Sequence, residues 1–172
     1  ARDDQRDRAA DDIGRAEDLL CLLLAHHYRA RARERALVAL RHRQRDRVEK
    51  GTVDQAAILD LTAGELGTRG TAETRKVEAM ESTRILGVHR VILDLPDGRF
   101  DESEGNRLKV MMELRHQRPA ILILPAPDDR HPDHRRAHRL CQEAAYYSGL
   151  RNYPCPGTPW RPQAIAWMGG EN

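Results

Sequence analysis

The chain has 172 residues, 40% hydrophobic and 33% charged, enough for one compact domain or a small core with an appendage, and too little for two substantial domains. No apolar run approaches the roughly 18 residues that cross a bilayer, which excludes an integral membrane protein. With 29 basic and 27 acidic side chains, net +2, there is no global attraction to nucleic acid or a membrane surface. Cys21, Cys141 and Cys155 form no Cys-x-x-Cys pair, so neither a disulfide scaffold nor a thiolate zinc site is suggested. The apolar stretch from Leu19 to Ala25 follows acids instead of a basic leader, and the expected location is the cytoplasm.

The positive excess is N-terminal. Eight arginines, at 29, 31, 33, 35, 41, 43, 45 and 47, give +6 over 19 residues once Glu34 and Asp46 are counted. A two-residue spacing suits no helical face, although Ala, Arg, Glu and Leu have high helix propensity and read as a solvated, weakly ordered helix. A nucleic-acid arm is the sharper reading. It is not expected to hold, because Tyr28 alone offers a base a stacking platform. The composition changes near residue 52, and residues 1–54 are set apart from a domain over 55–172.

From there the elements follow one another regularly. Ala56 to Thr62 is a short apolar run with the form of a buried strand, and a loop punctuated by Gly64, Gly67 and Gly70 follows. Thr71 to Leu86 reads as a helix capped by Thr71 and stopped by Gly87. Arg90 to Leu95 is a second strand, ended by the turn Pro96-Asp97-Gly98. Glu102 to His116 places apolar residues at helical spacing, and Ala120 to Leu124 is a strand between prolines. From His134 a three-and-four repeat runs to Ser148, with Gly149 as terminator. This alternation predicts an α/β fold, a Rossmann-like parallel sheet with right-handed crossovers and helices on both faces, incomplete at its edges. Ligands of such sheets bind beyond the carboxyl ends of the strands.

The third of these strands runs into Pro125-Ala-Pro-Asp-Asp-Arg-His-Pro-Asp-His134, delivering three carboxylates and two imidazoles to that edge. Imidazole and carboxylate are the usual ligands of a catalytic zinc, and Pro132 at a helix start fixes the direction of Asp133 and His134. Spacing alone leaves His131/His134 and His134/His138 both open as metal pairs. The bland alternative is a helix capped by Asp129 or Asp133 with solvated histidines.

Pro-Asp-Asp-Arg-His-Pro-Asp-His at 127–134, after Ile-Leu-Ile-Leu and before Tyr-Ser-Gly-Leu-Arg-Asn-Tyr at 147–153, resembles the second signature of the LmbE-like (PIG-L type) zinc N-deacetylases. Upstream, Leu59-Asp-Leu-Thr-Ala-Gly-Glu-Leu-Gly-Thr-Arg-Gly-Thr-Ala-Glu-Thr-Arg75, Ile85-Leu-Gly-Val and Leu95-Pro-Asp-Gly98 resemble the branch that deacetylates N-acetylglucosaminyl-malate in bacillithiol biosynthesis. The resemblance covers about residues 56–153. It implies Zn2+ as cofactor, His134 as a zinc ligand, His131 as a cationic stabiliser of the oxyanion, and Asp133 as the group that orients an imidazole. It further implies that Arg75 and Asp97 hold substrate; on their own they also read as a solvated cation and a turn former. The implied reaction is amide hydrolysis of a small N-acetylglucosamine conjugate by a metal-dependent deacetylase, with no membrane partner and with a homo-oligomer as an expected assembly.

Relatives of this kind also carry Ala-His-Pro-Asp-Asp-x-Glu after a first strand, supplying two more zinc ligands and the general base. Here the nearest piece is Ala25-His26, with Tyr28 and Arg29 where carboxylates stand in relatives. Relatives continue past the equivalent of Ala164 to Met168 with a further strand and helices. A zinc deacetylase is therefore the first expectation, a metal-free sugar-binding α/β protein the second, and an Arg-rich nucleic-acid binder the third.

Overall fold

The computed structural model describes residues 19–24 and 55–168, the first six by their backbone alone. The arginine-rich segment and His26 lie outside the described residues. Among the described residues, five strands form one parallel sheet: β1 (Leu19–Leu24), β2 (Gln55–Asp60), β3 (His89–Ile92), β4 (Ile121–Pro125) and β5 (Ala164–Met168). Their order is β3-β2-β1-β4-β5. Three helices accompany them: α1 (Ala72–Leu86), α2 (Glu104–Gln117) and α3 (Pro132–Ser148).

The alternation read from the sequence is present, and the strand that it leaves unassigned, Leu19–Leu24, is the middle of the sheet. From β1 the chain steps outward through β2 to β3, then returns to the other side of β1 for β4 and β5. With right-handed crossovers, this reversal requires α1 on one face and α2 and α3 on the other. The packing agrees. Leu59, Leu122 and Leu124 meet Val110, Met111 and Leu114 of α2 and Ala137, Leu140 and Ala144 of α3, whereas Ile58 and Ile123 cluster with Leu86 and Val88 at the end of α1. Strands covered on both faces read as continuous apolar runs, which is why β4 was so legible.

Local chemistry sets the helix limits. Thr71 caps α1, its hydroxyl accepting from the Thr74 N–H at 3.2 Å, and Gly87 ends it at φ +64 with its N–H on the Thr83 carbonyl. Ser103 caps α2 two residues later than the periodicity suggests. β3 is shorter than expected, but the pairing direction continues as Leu93 N–H reaches the Asp60 carbonyl and Leu95 N–H the Leu61 carbonyl. Leu95 is buried where the chain turns at Pro96.

Two buried cations tie the elements together. Arg90 of β3 meets Asp60 at the end of β2 at 2.5 Å and also donates to Ser82 and Thr83 of α1. Arg115 of α2 donates to the carbonyls of Ser148, Leu150, Cys155 and Gly157, so a single guanidinium organises the chain after α3.

Candidate active site

The reversal of chain direction lies between β1 and β4. Leu22 pairs with Ile123, so the carboxyl ends of these two strands lie side by side, at the switch point where ligands of open α/β sheets bind. β4 delivers Pro125 to this point, and the turn 126–131 leads into α3.

His131 is the N-cap of α3, a role filled by neither aspartate. Its Nδ1 accepts the Asp133 backbone N–H at 3.2 Å. A backbone N–H only donates, so Nδ1 carries the lone pair and the ring proton sits on Nε2.

His134 uses its Nδ1 in the opposite sense. Its Nδ1 lies 2.9 Å from Oδ2 of Asp129, and both groups are buried. Asp129 also accepts the His131 N–H at 2.8 Å through Oδ1. Burial opposes ionisation of Asp129, but the His131 N–H and the His134 ring outweigh it and lower its pKa below the ordinary value. An ionised carboxylate can only accept, so His134 donates from Nδ1. The two rings face each other with centroids 4.8 Å apart and planes 32° apart.

Asp129 thus holds the His134 imidazole. Asp133 Oδ2 accepts the Gly98 N–H at 2.8 Å and Oδ1 accepts from Arg136 at 2.6 Å, fastening the Pro96–Gly98 turn to the start of α3. Asp97 is buried, accepting the Leu66 N–H at 3.0 Å and facing the Thr62 hydroxyl, while its own N–H donates to Glu65 at 2.7 Å. Arg75 lies over the glycine loop, donating to the Arg69 carbonyl at 2.7 Å and to Glu78 at 3.1 Å. The structure brings His131, Asp133 and His134 together, links Asp97 to them through the neighbouring Gly98, and sets the Arg75 guanidinium against the 64–70 loop at Gly67 and Arg69. Sequence reasoning missed Asp129 as the orienting group; its signal is the five-residue offset to His134 across a proline-fixed helix start.

A metal-binding histidine characteristically gives its other ring nitrogen to a carboxylate, and His134 with Asp129 fits that donor chemistry. Among the described residues no group of three or more His, Cys, Asp and Glu side chains is placed to hold an ion. No helix among the described residues is long and apolar enough to cross a membrane.

The parallel sheet, its switch point and the paired imidazoles define an α/β protein with a polar candidate site at the carboxyl ends of its strands. The family model described as GlcNAc-PI de-N-acetylase (PIG-L) matches residues 19–145, and the chain belongs to that family. The match begins at the first residue of β1 and so takes in the central strand. The diacetylchitobiose deacetylase of Thermococcus kodakarensis is 34% identical over 99 residues, covering 55% of this chain and 37% of that protein. The 1D-myo-inositol 2-acetamido-2-deoxy-alpha-D-glucopyranoside deacetylase of Rhodococcus opacus is 32% identical over 60 residues, covering 34% and 20%. Among solved structures, the conserved protein TT1542 from Thermus thermophilus superposes with a TM-score of 0.71 at 34% identity, covering 88% of this chain and 65% of that one. The N,N'-diacetylchitobiose deacetylase from Pyrococcus horikoshii shares the fold, with a TM-score of 0.63 at 24% identity over 80% of this chain and 52% of that one. The chain spans under two fifths of the length of these curated relatives and under two thirds of the solved chains.

Proposed function

We propose that this chain carries the site of a zinc-dependent N-deacetylase that removes the acetyl group from a small N-acetylglucosamine conjugate. The observation that carries this reading is the pair of facing imidazoles that use Nδ1 in opposite senses, His134 donating to Asp129 and His131 accepting the Asp133 N–H, at the switch point of the sheet. Such a pair divides the labour of amide hydrolysis between a ligand and a hydrogen-bond donor.

When bound, zinc supplies Lewis acidity and lowers the pKa of a coordinated water. His134 is the ligand among the described residues, its ring direction and tautomer set by Asp129. His26, two residues beyond the end of β1, is the candidate for a second. His131 donates from Nε2 to the oxygen on which negative charge develops. Asp133 holds the Pro96–Gly98 turn in place as one wall. Arg75 and Asp97 serve the substrate side, Arg75 by its guanidinium and Asp97 by fixing the 64–70 loop. The motifs from Leu59 to Arg75 favour N-acetylglucosaminyl-malate as the conjugate.

The test is metal analysis of the purified chain combined with amine release from N-acetylglucosaminyl-malate, diacetylchitobiose and N-acetylglucosaminyl-inositol. The expected result is zinc-dependent amine release that His134→Ala abolishes. Protein that binds these sugars without zinc and releases no amine would overturn the enzymatic reading in favour of a silent binding protein.

A further inference from the structure

His138 is a buried imidazole that the mechanism above does not use. It lies one turn beyond His134 on the same face of α3 and is 6% exposed. Its Nδ1 is 2.8 Å from the Pro125 carbonyl, and a carbonyl only accepts, so the ring proton is on Nδ1. Trp167 of β5 meets the ring edge-on, with centroids 6.3 Å apart.

We propose that His138 is a positioning residue for this site, acting on His131 and His134 through the strand exit at Pro125; the proposal rests on the deacetylase reading. Pro125 is the residue at which β4 leaves the sheet, and Asp129 is the residue that holds His134 and the His131 backbone. Each end of the stretch 125–129 is thereby held by an imidazole of α3, Pro125 by His138 and Asp129 by His134. These rungs lie on successive turns of one helix, so the spacing from strand exit to Asp129 is fixed at about one helical pitch, roughly 5.4 Å. Within the stretch, the backbone contributes the 3.3 Å bond from Asp129 N–H to the Ala126 carbonyl. Removing the His138 rung frees the strand end of the turn and lets Asp129 drift with it. Trp167 packs against the ring from the last strand and limits its rotation.

The consequence is catalytic rather than merely structural. A misplacement of about 1 Å costs on the order of 100-fold in rate, and loss of a partner that orients a ligand costs about 10- to 100-fold. His138→Leu, of similar volume but without a donor, is expected to lower kcat by about 10- to 100-fold with KM within about 2-fold. His138→Asn, whose side-chain N–H stands near the position of Nδ1, is expected to recover kcat to within about 3-fold of wild type. His138→Gln extends the donor past the carbonyl and should behave like His138→Leu, which keeps the test open if the leucine variant does not fold.

A second readout does not need turnover. In long-range proton-nitrogen spectra of the imidazoles, the Nδ1–H of His134 and the Nε2–H of His131 should shift in His138→Gln or His138→Leu and return in His138→Asn. Unchanged kcat in a folded His138→Gln, or imidazole spectra that match wild type, would overturn the proposal. Wild-type protein that deacetylates nothing would sink the functional reading, and the spectra would then decide the positioning role by themselves.

Discussion

Asp129 Oδ2 and His134 Nδ1 lie 2.9 Å apart inside a turn that buries both. Because the hydrogen bonds hold the Asp129 pKa below its ordinary value, its ionised form adds stability that is present above the unfolded-state pKa and disappears as pH falls through the folded one. Asp129→Asn imitates the protonated carboxyl. Urea unfolding should show wild type more stable than Asp129→Asn from neutral pH down to about pH 5, with the gap closing at lower pH. A gap independent of pH would refute the charge-based account. In zinc titrations the same variant should bind about 10- to 100-fold more weakly.

Arg115 is 4% exposed and serves four carbonyls of the segment after α3. Arg115→Met keeps the apolar stem and strips those carbonyls of a shared donor, an expected loss of about 2–4 kcal/mol in urea unfolding. Arg115→Lys should recover little, because a point charge cannot fork to several acceptors. Hydrogen exchange should quicken from residue 149 to 160 in either variant.

At Gly98 two constraints coincide. Its φ is +70, and a Cβ placed there would lie 2.9 Å from Cδ1 of Leu66. Gly98→Ala should lower stability by about 1–2 kcal/mol. Adding Leu66→Ala should return the steric part and leave the backbone part, so a double-mutant cycle reads out the two separately.

Removing Arg90 leaves the fully buried Asp60 without its guanidinium partner. Arg90→Met should cost about 3–5 kcal/mol in urea unfolding. Asp60→Asn combined with Arg90→Met should cost less than the sum of the two single changes, since each alone strands the other's charge.

These residues show where the sequence was readable. The Thr71 and Gly87 limits of α1, the Pro96–Gly98 turn and the apolar run of β4 were legible because each rests on local chemistry. β1 was not: six apolar residues carry no period that separates a buried strand from a helical segment, and its place is fixed only by pairing with β2 and β4. The histidines and aspartates were visible as a cluster, but which carboxylate holds which ring depends on the turn geometry. Asp129 and Asp133 look equivalent in sequence and have different partners in space. Arg90 and Arg115 were unremarkable among so many arginines, since burial is a property of the assembled fold.

Placing the first strand in the middle of the sheet has a consequence for biogenesis. Leu20 pairs with Ile121, a separation of roughly 100 residues. During synthesis the emerging chain can add β2 and β3 to one flank of β1, but the other flank stays open until β4 has left the ribosome. A nascent chain stalled before that point exposes a naked apolar edge, the state in which a chaperone or another nascent copy competes with the proper neighbour.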